Sequence, residues 1–267
     1  MFRSVWLWVL ALMLALAGGS IVLSRPSAPS SAPDTLVQLA GKGDAASVQR
    51  LLEQGERVDK PDAENGMTAL MHAASQGQAD TVRLLLAQGA YAQARDSRGN
   101  TALMHAITNG RPETFRLILD ALAKENIASI NVVNFDGHTA LALAAMHGRT
   151  DMVRALLDTK VANVWLGGSL DGGWEPLHRA AQGGHTEIVR LLLDNGARAN
   201  SAPRSKITAL MLAAENGHAE TVQLLLARGA NVNAASADGA TAMSLAQSSG
   251  HAEVVQLLIA AEQPETR

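Results

Sequence analysis

The residues of this chain that could support chemistry are its histidines, its tryptophans and one glycine-rich stretch. Neutral histidine is a common metal ligand, and glycine-rich loops can hold phosphate groups. The chain contains no cysteine, which excludes disulfides, zinc sites with thiolate ligands and a cysteine nucleophile. The glycine-rich stretch, residues 167–173, does not follow a strand pattern, so we interpret it as a flexible loop and not as a phosphate-binding loop.

No catalytic motif accompanies these residues. The sequence has no G-x-S-x-G nucleophile elbow, no Walker lysine loop, no H-E-x-x-H pair and no Asp-rich calcium loop. The net charge of -3, without a cluster of Lys and Arg, argues against nucleic acid as the main partner. We therefore expect no enzymatic activity, no cofactor, no metal and no nucleic-acid partner.

The elements that must position these residues belong to a repeating unit of about 33 residues. Each copy carries a threonine, a short apolar stretch, a glycine, a second apolar stretch and a second glycine; in the clearest copy these are Thr68, Gly77 and Gly89. The threonine recurs at Thr101, Thr139, Thr208 and Thr241, and Glu175 takes its place once. A period of this length indicates supersecondary units that stack on one another.

Within one copy, Thr68 is expected to cap a helix over residues 69–76 that ends near Gly77. The second helix places Val82, Leu85 and Leu86 at helical spacing, which predicts a buried stripe. Gly89 should end that helix in the left-handed conformation. Each copy is thus predicted to be helix, turn, helix and long loop.

This pattern resembles the ankyrin repeat, a unit of a β-turn and two helices with the signature T-P-L-H-x-A. The resemblance covers residues 34–261 and implies an all-α solenoid of about seven helix-turn-helix repeats with β-turn fingertips, the first starting at Asp34. Only Glu175-Pro176-Leu177-His178 keeps the proline and the histidine of the signature together. Extra residues interrupt the period around 123–130 and within 160–173, where Leu122 and Lys160 occupy expected glycine positions.

The N-terminal segment lies outside the repeats. Residues 1–23 have a positive start and a long apolar run, which fits either a cleaved signal peptide or a retained membrane anchor. Residues 24–33 form a Ser/Pro/Ala linker, and residues 262–267 form a polar tail. Both alternatives place the repeat domain outside the cytoplasm, in the periplasm if the source is bacterial.

The resemblance implies that a partner protein is held by the fingertips and by the exposed side of each first helix, along a concave groove. The positions of this chain that match those of the family are Met67, Gln76, Arg98, Asn100, Asn109, Phe135, His138, His147, Trp174, Gln182, Ile207 and Asn216. His72, His105, His178, His185, His218 and His251 recur at fixed repeat positions, for which we expect structural roles.

Two tryptophans flank the glycine-rich insert, Trp165 and Trp174. Trp174 is a candidate partner contact because tryptophan is enriched among residues that dominate binding energy. One or both rings could instead fold back over the junction between copies four and five. We expect a protein-protein interaction scaffold, exported or membrane-tethered, and the alternative is a module for a small ligand or ion built on the Trp165–Trp174 insert.

Overall fold

The computed structural model describes residues 34–125, 127–167 and 173–262. Over these residues the chain forms fourteen α-helices, which pair into seven antiparallel helix-turn-helix units stacked in one direction. The helices are Leu36–Lys42 (α1), Ala45–Glu53 (α2), Ala69–Gln76 (α3), Ala79–Ala87 (α4), Ala102–Thr108 (α5), Pro112–Glu125 (α6), Ala140–Met146 (α7), Thr150–Asp158 (α8), Pro176–Gln182 (α9), Thr186–Asp194 (α10), Ala209–Glu215 (α11), Ala219–Ala227 (α12), Ala242–Ser248 (α13) and Ala252–Glu262 (α14). The predicted helical solenoid is confirmed.

Each first helix begins at the threonine that sets the period. The Thr68 hydroxyl accepts a hydrogen bond from the Met71 amide at 3.4 Å, which pairs one of the N–H groups that the first turn leaves open. The first repeat corrects the expected register by one residue. Thr35, and not Asp34, is its capping residue, with the Gln38 amide donating to the hydroxyl at 3.3 Å. Thr35 lies one full repeat before Thr68, so the first unit also keeps the threonine that sets the period.

The first-helix glycines are covered by the next repeat. A side chain at the start of each second helix lies over the glycine that ends the preceding first helix, so that a β-carbon added there would overlap it. The pairs are Gly43 with Gln78, Gly77 with Arg111, Gly110 with Arg149, Gly148 with His185, Gly184 with His218 and Gly217 with His251. This glycine ladder is a repeated contact that links every two neighbouring units.

Among the described residues the core is one continuous cluster that runs through all seven units and is aliphatic except for Phe115. Ala73 and Ala74 are fully buried, which lets neighbouring first helices approach closely. Val82 and Leu85 of the predicted stripe are fully buried as well, whereas Leu86 is only partly buried at the edge of the cluster. The two deepest positions of the stripe therefore carry most of the packing of each second helix.

Both interruptions of the period lie where the spacing placed them. In the first, α6 is lengthened to 14 residues and is followed by a 3-10 turn, Ile127–Asn131, so the extra residues are absorbed as helix. In the second, the chain leaves the repeat at Gly167 and is close to it again at Gly173. A β-carbon built on Gly167 would lie only 2.6 Å from the Gly173 carbonyl oxygen. Stacking resumes directly after each interruption, with α7 and α9 in contact.

The predicted leader (1–23) and linker (24–33) lie outside the described residues, as do residues 263–267 of the polar tail. Among the helices that the structure describes, none has the length and apolar character needed to cross a membrane.

Candidate functional site

The candidate binding surface is built on the β-turns that precede the first helices, at residues 62–67, 96–100, 134–138, 203–207 and 236–240, which we call the fingertip turns. Each turn is closed by its own backbone; in the second, the Asp96 amide donates to the Asn100 carbonyl at 3.0 Å. Neighbouring turns are joined as well, since the Phe135 amide donates to the Arg98 carbonyl at 2.9 Å. The turns at 62–67, 96–100 and 134–138 are thus linked to one another by backbone hydrogen bonds, and so are the turns at 203–207 and 236–240.

Two aspartates tie the first fingertip turns to the helices behind them. Asp96 accepts from the Arg98 and Asn100 amides at 2.9 and 2.8 Å, and its other oxygen lies 2.9 Å from His105 Nε2. Burial acts to raise the pKa of Asp96, but the hydrogen bonds from Asn100, His105 and Arg98 outweigh it and lower that pKa. Asp62 and His72 repeat this arrangement one unit earlier, also at 2.9 Å. These histidines brace the turns, and their nitrogen atoms are directed at carboxylates.

Phe135 is the most exposed large apolar side chain of the fingertip turns, at 60%. Its ring is supported from within the protein, because the Arg95 guanidinium lies 5.3 Å from the ring centroid. Arg95 is itself held in place by hydrogen bonds to the Gly99 and Val133 carbonyls, at 3.2 and 2.7 Å. An exposed aromatic ring on a fixed support loses little conformational freedom when it is buried by a partner.

Trp174 is partly buried and packs on its own repeat. The Arg179 guanidinium lies 4.7 Å from the indole centroid, and the His178 ring stacks at 6.5 Å. Next to it, Glu175 replaces the capping threonine, and its Oε1 accepts from Ser201 Oγ at 2.6 Å. Burial raises the pKa of Glu175 although Ser201 and Arg198 act against that rise. The Trp174 indole and the Arg179 guanidinium together form part of the surface at the start of α9, the first helix of the fifth unit.

Trp165 does not lie on this surface. Its Nε1 donates to the Gly196 carbonyl at 3.0 Å and Arg198 lies 5.9 Å from the ring, so the side chain bridges the fourth and fifth units. This is the fold-back role that the sequence left open for one of the two tryptophans.

The first-helix positions on the groove side end in polar side chains. Asn109 and Asn216 are exposed, and each donates to a carbonyl one turn back in its own helix, at 2.9 Å. His147 is partly buried, and its pKa is lowered first by that burial and then by the charge of Arg149 and the proximity of His185. At pH 7 this ring is therefore a neutral donor and acceptor.

The predicted binding residues fall into two groups in the structure. Those on the fingertip turns or directly before a first helix are Met67, Arg98, Asn100, Phe135, His138, Trp174 and Ile207, and those at the ends of first helices are Gln76, Asn109, His147, Gln182 and Asn216. Arg98 and Phe135 are brought side by side, and Asn100 accepts a hydrogen bond from Asn134 at 2.7 Å. Their role as partner contacts stays a prediction.

Three residues of this surface were missed. Arg95 and Arg179 support the two aromatic rings, and Lys206 takes the left-handed conformation, with φ of 56°, where the other fingertip turns have glycine. The spacing of Arg179, four residues after the cap position, could have placed it on the groove side of its helix. No signal in the sequence marks Arg95, because it acts across repeats. Lys206 could have been found, because it stands two residues before the capping threonine, where the next fingertip turn has Gly239.

The remaining histidines have fold-building contacts. His185, His218 and His251 bond through Nε2 to backbone carbonyls of the preceding repeat, at 3.3, 3.0 and 3.0 Å, and His178 Nε2 lies 3.1 Å from the Ser201 carbonyl. Among the residues that the structure describes, no group of three or more His, Asp or Glu side chains is arranged to hold a metal ion. The ligand-or-ion alternative thus receives no support, and residues 168–172 of its insert lie outside the described residues.

Comparison with known proteins identifies relatives across the repeats. The chain is 32% identical over 196 residues to a protein from Oryza sativa subsp. japonica named "Probable E3 ubiquitin-protein ligase XBOS32", covering 63% of this chain and 39% of that protein. It is 33% identical over 193 residues to "E3 ubiquitin-protein ligase XBAT32" from Arabidopsis thaliana, covering 63% of this chain and 37% of that protein. The ankyrin repeat domain of human ASB11 superposes with a TM-score of 0.72 at 23% identity, over 87% of this chain and 100% of that one.

These relatives correct one expectation. The sequence was interpreted as that of a chain without enzymatic activity, but two of its relatives are named as E3 ubiquitin-protein ligases, which are enzymes, so that interpretation was wrong. Catalytic motifs could not have indicated this, because the similarity lies in repeats that carry none. The chain spans about two fifths of the length of these relatives, and the named activity is that of the whole proteins.

A family model described as "Ankyrin repeats (3 copies)" matches residues 36–129, 120–203 and 199–267, nearly the whole length of the helical array. Together with the capped helix pairs, the fingertip turns and the superposition, this match decides the family. The chain belongs to the ankyrin-repeat family, and its repeat array is a protein-protein interaction scaffold.

Proposed function

We propose that the scaffold holds its partner protein along the fingertip turns and the groove side of the first helices, with Phe135 as the central contact. The observation that carries this proposal is the exposed ring of Phe135 on a braced turn. Exposed aromatic side chains that are already fixed are typical of residues that dominate binding energy. Arg98, exposed beside it, supplies a polar contact at the rim.

We further propose that the array acts outside the cytoplasm, exported or tethered by residues 1–23. The apolar run and its positive start support this, and the linker 24–33 would let a tethered array stand clear of the bilayer. In a bacterium with two membranes, an epitope at the C-terminus of the full chain would become accessible to protease once the outer membrane is permeabilised. Carbonate extraction and the length of the mature chain then separate an anchored form from a cleaved one. An epitope protected until the inner membrane is broken would refute export.

The binding surface is tested with the full chain and two matched variants. Phe135→Ala removes the fingertip ring, whereas Tyr91→Ala removes a somewhat less exposed aromatic ring, 52% accessible, from the loop after α4. Crosslinking pull-downs from the native envelope should capture a partner with the wild type and with Tyr91→Ala, and lose it with Phe135→Ala. Equal capture by all three chains would show that the partner lies elsewhere.

A further inference from the structure

A second surface with binding character lies apart from the fingertip turns, where α8 and α10 end. A cleft of about 370 Å³ opens there, with Trp165, Lys160 and Asn195 among its lining residues. Trp165 is 53% exposed and Val161, also in the lining, is 36% exposed. None of these residues belongs to a fingertip turn or to a first helix.

Lys160 occupies this cleft at a conformational cost. It takes the left-handed conformation, with φ of 58°, at the position after a second helix where other repeats have Gly89, Gly196 and Gly229. A side chain in this region is strained relative to glycine, and the two following repeats keep glycine at this position, as Gly196 and Gly229. Residues that break a local rule without a structural gain are concentrated at functional sites.

Trp165 supplies a fixed apolar wall to the same cleft. Its indole is held by the hydrogen bond to the Gly196 carbonyl and by Arg198 against the ring, so it is positioned before any partner arrives. Among the described residues, the lining includes one cation, Lys160, and no carboxylate, and Arg198, whose charge also acts on Glu175, adds a second cation beside the ring. An apolar wall flanked by two cations complements an apolar side chain next to a negative charge.

We propose that this cleft is a second docking site, which accepts an acidic linear segment of a partner protein. An apolar side chain of that segment would pack on Trp165, while adjacent carboxylates pair with Lys160 and Arg198. The site is independent of the fingertip surface, so the scaffold would hold two segments, or two partners, at once.

The test uses the full chain as bait for a displayed library of random short peptides, followed by anisotropy with the resynthesised binders at low and high salt. We expect enrichment of peptides with Asp or Glu beside an apolar residue. Trp165→Ala should weaken their binding about tenfold or more, since tryptophan anchors carry a large share of such interfaces. Lys160→Gly should weaken binding by about tenfold at low salt, with a smaller effect at high salt.

The choice of Lys160→Gly separates binding from folding. Trp165→Ala also removes a contact between repeats, but Lys160→Gly relieves the strained backbone, so lost binding in that variant cannot come from unfolding. Phe135→Ala is the control for the fingertip surface and should leave the enriched peptides bound.

Four results would overturn the proposal. These are the absence of any enriched peptide, enrichment only of peptides without acidic residues, binding that is lost with Phe135→Ala and kept with both cleft variants, and a self-associating wild type that Trp165→Ala makes monomeric. The third result would not contradict the proposed fingertip binding surface. Failure of the envelope pull-down would not contradict the proposed cleft site.

Discussion

The glycine ladder can be tested at Gly148, which ends α7 in the left-handed conformation with φ of 65°. A β-carbon at this position would lie 2.7 Å from Cε1 and 3.0 Å from both nitrogens of the His185 ring. That ring cannot move aside freely, because its Nε2 bonds to the Met146 carbonyl at 3.3 Å. Gly148→Ala therefore strains the backbone and also displaces a side chain that links two repeats.

The magnitude follows from two contributions. A non-glycine residue in the left-handed region costs about 1–2 kcal/mol. Overpacking against a held side chain adds about 1–3 kcal/mol. We expect Gly148→Ala to lower the free energy of unfolding by the sum, and Gly229→Ala to lower it by the first contribution alone. Gly229 has a similar φ of 81°, but a β-carbon there would meet nothing within 4 Å.

The measurement is chemical denaturation of the full chain followed by circular dichroism, with equal m-values required before free energies are compared, since repeat arrays can lose cooperativity. A double-mutant cycle isolates the contact: in a His185→Ala background, the cost of Gly148→Ala should fall to that of Gly229→Ala. Equal costs for the two glycine variants, or a cycle without coupling, would refute the view that the covering side chains make these glycines obligatory.

Three further outcomes are expected. Leu192→Ala, at a fully buried position, should cost about 2–5 kcal/mol, and Leu193→Ala, partly buried beside it, should cost clearly less; equal losses on denaturation would contradict the assigned core stripe. Because the pKa of Glu175 is raised above 4.5 in the folded state, its contribution to stability is present below that pH and is lost as pH rises through the folded pKa. Glu175→Gln should therefore raise the melting temperature at pH 7 and change it little near pH 4. A melting temperature that the substitution lowers at pH 7 would show that the carboxylate is stabilising. Lys206→Gly should stabilise the chain by about 1 kcal/mol through relief of the left-handed backbone, and an unchanged denaturation midpoint would refute that strain.

Features that depend on neighbours along the chain could be predicted well. The capping threonines, the helix-ending glycines and the Val82–Leu85 stripe each act within about two turns of helix, so their spacing alone placed fourteen helices in order. The error at Asp34 is of the same kind: Asp and Thr are both good caps, and only the Gln38 amide shows which of the two adjacent residues is used.

Features that depend on contact between repeats could not be predicted. Arg95 supports a ring that lies in the next unit, and the partner of Trp165 is a carbonyl of the following unit. Lys160 was recognised only as a residue at a glycine position; that it adopts the glycine conformation, and faces a cleft with Trp165, needed the stacked structure. Burial of the Glu175 carboxyl is likewise invisible in one repeat, because Ser201 of the following loop forms its hydrogen bond.

The sequence by itself determined that this chain is a stack of helix pairs, since a repeating pattern of caps, glycines and apolar positions acts locally and identically in each copy. The tertiary structure decided which side chains are fixed and which are exposed. Hydrogen bonds and ring contacts between units depend on how one repeat lies on the next, and no spacing within a repeat contains that geometry.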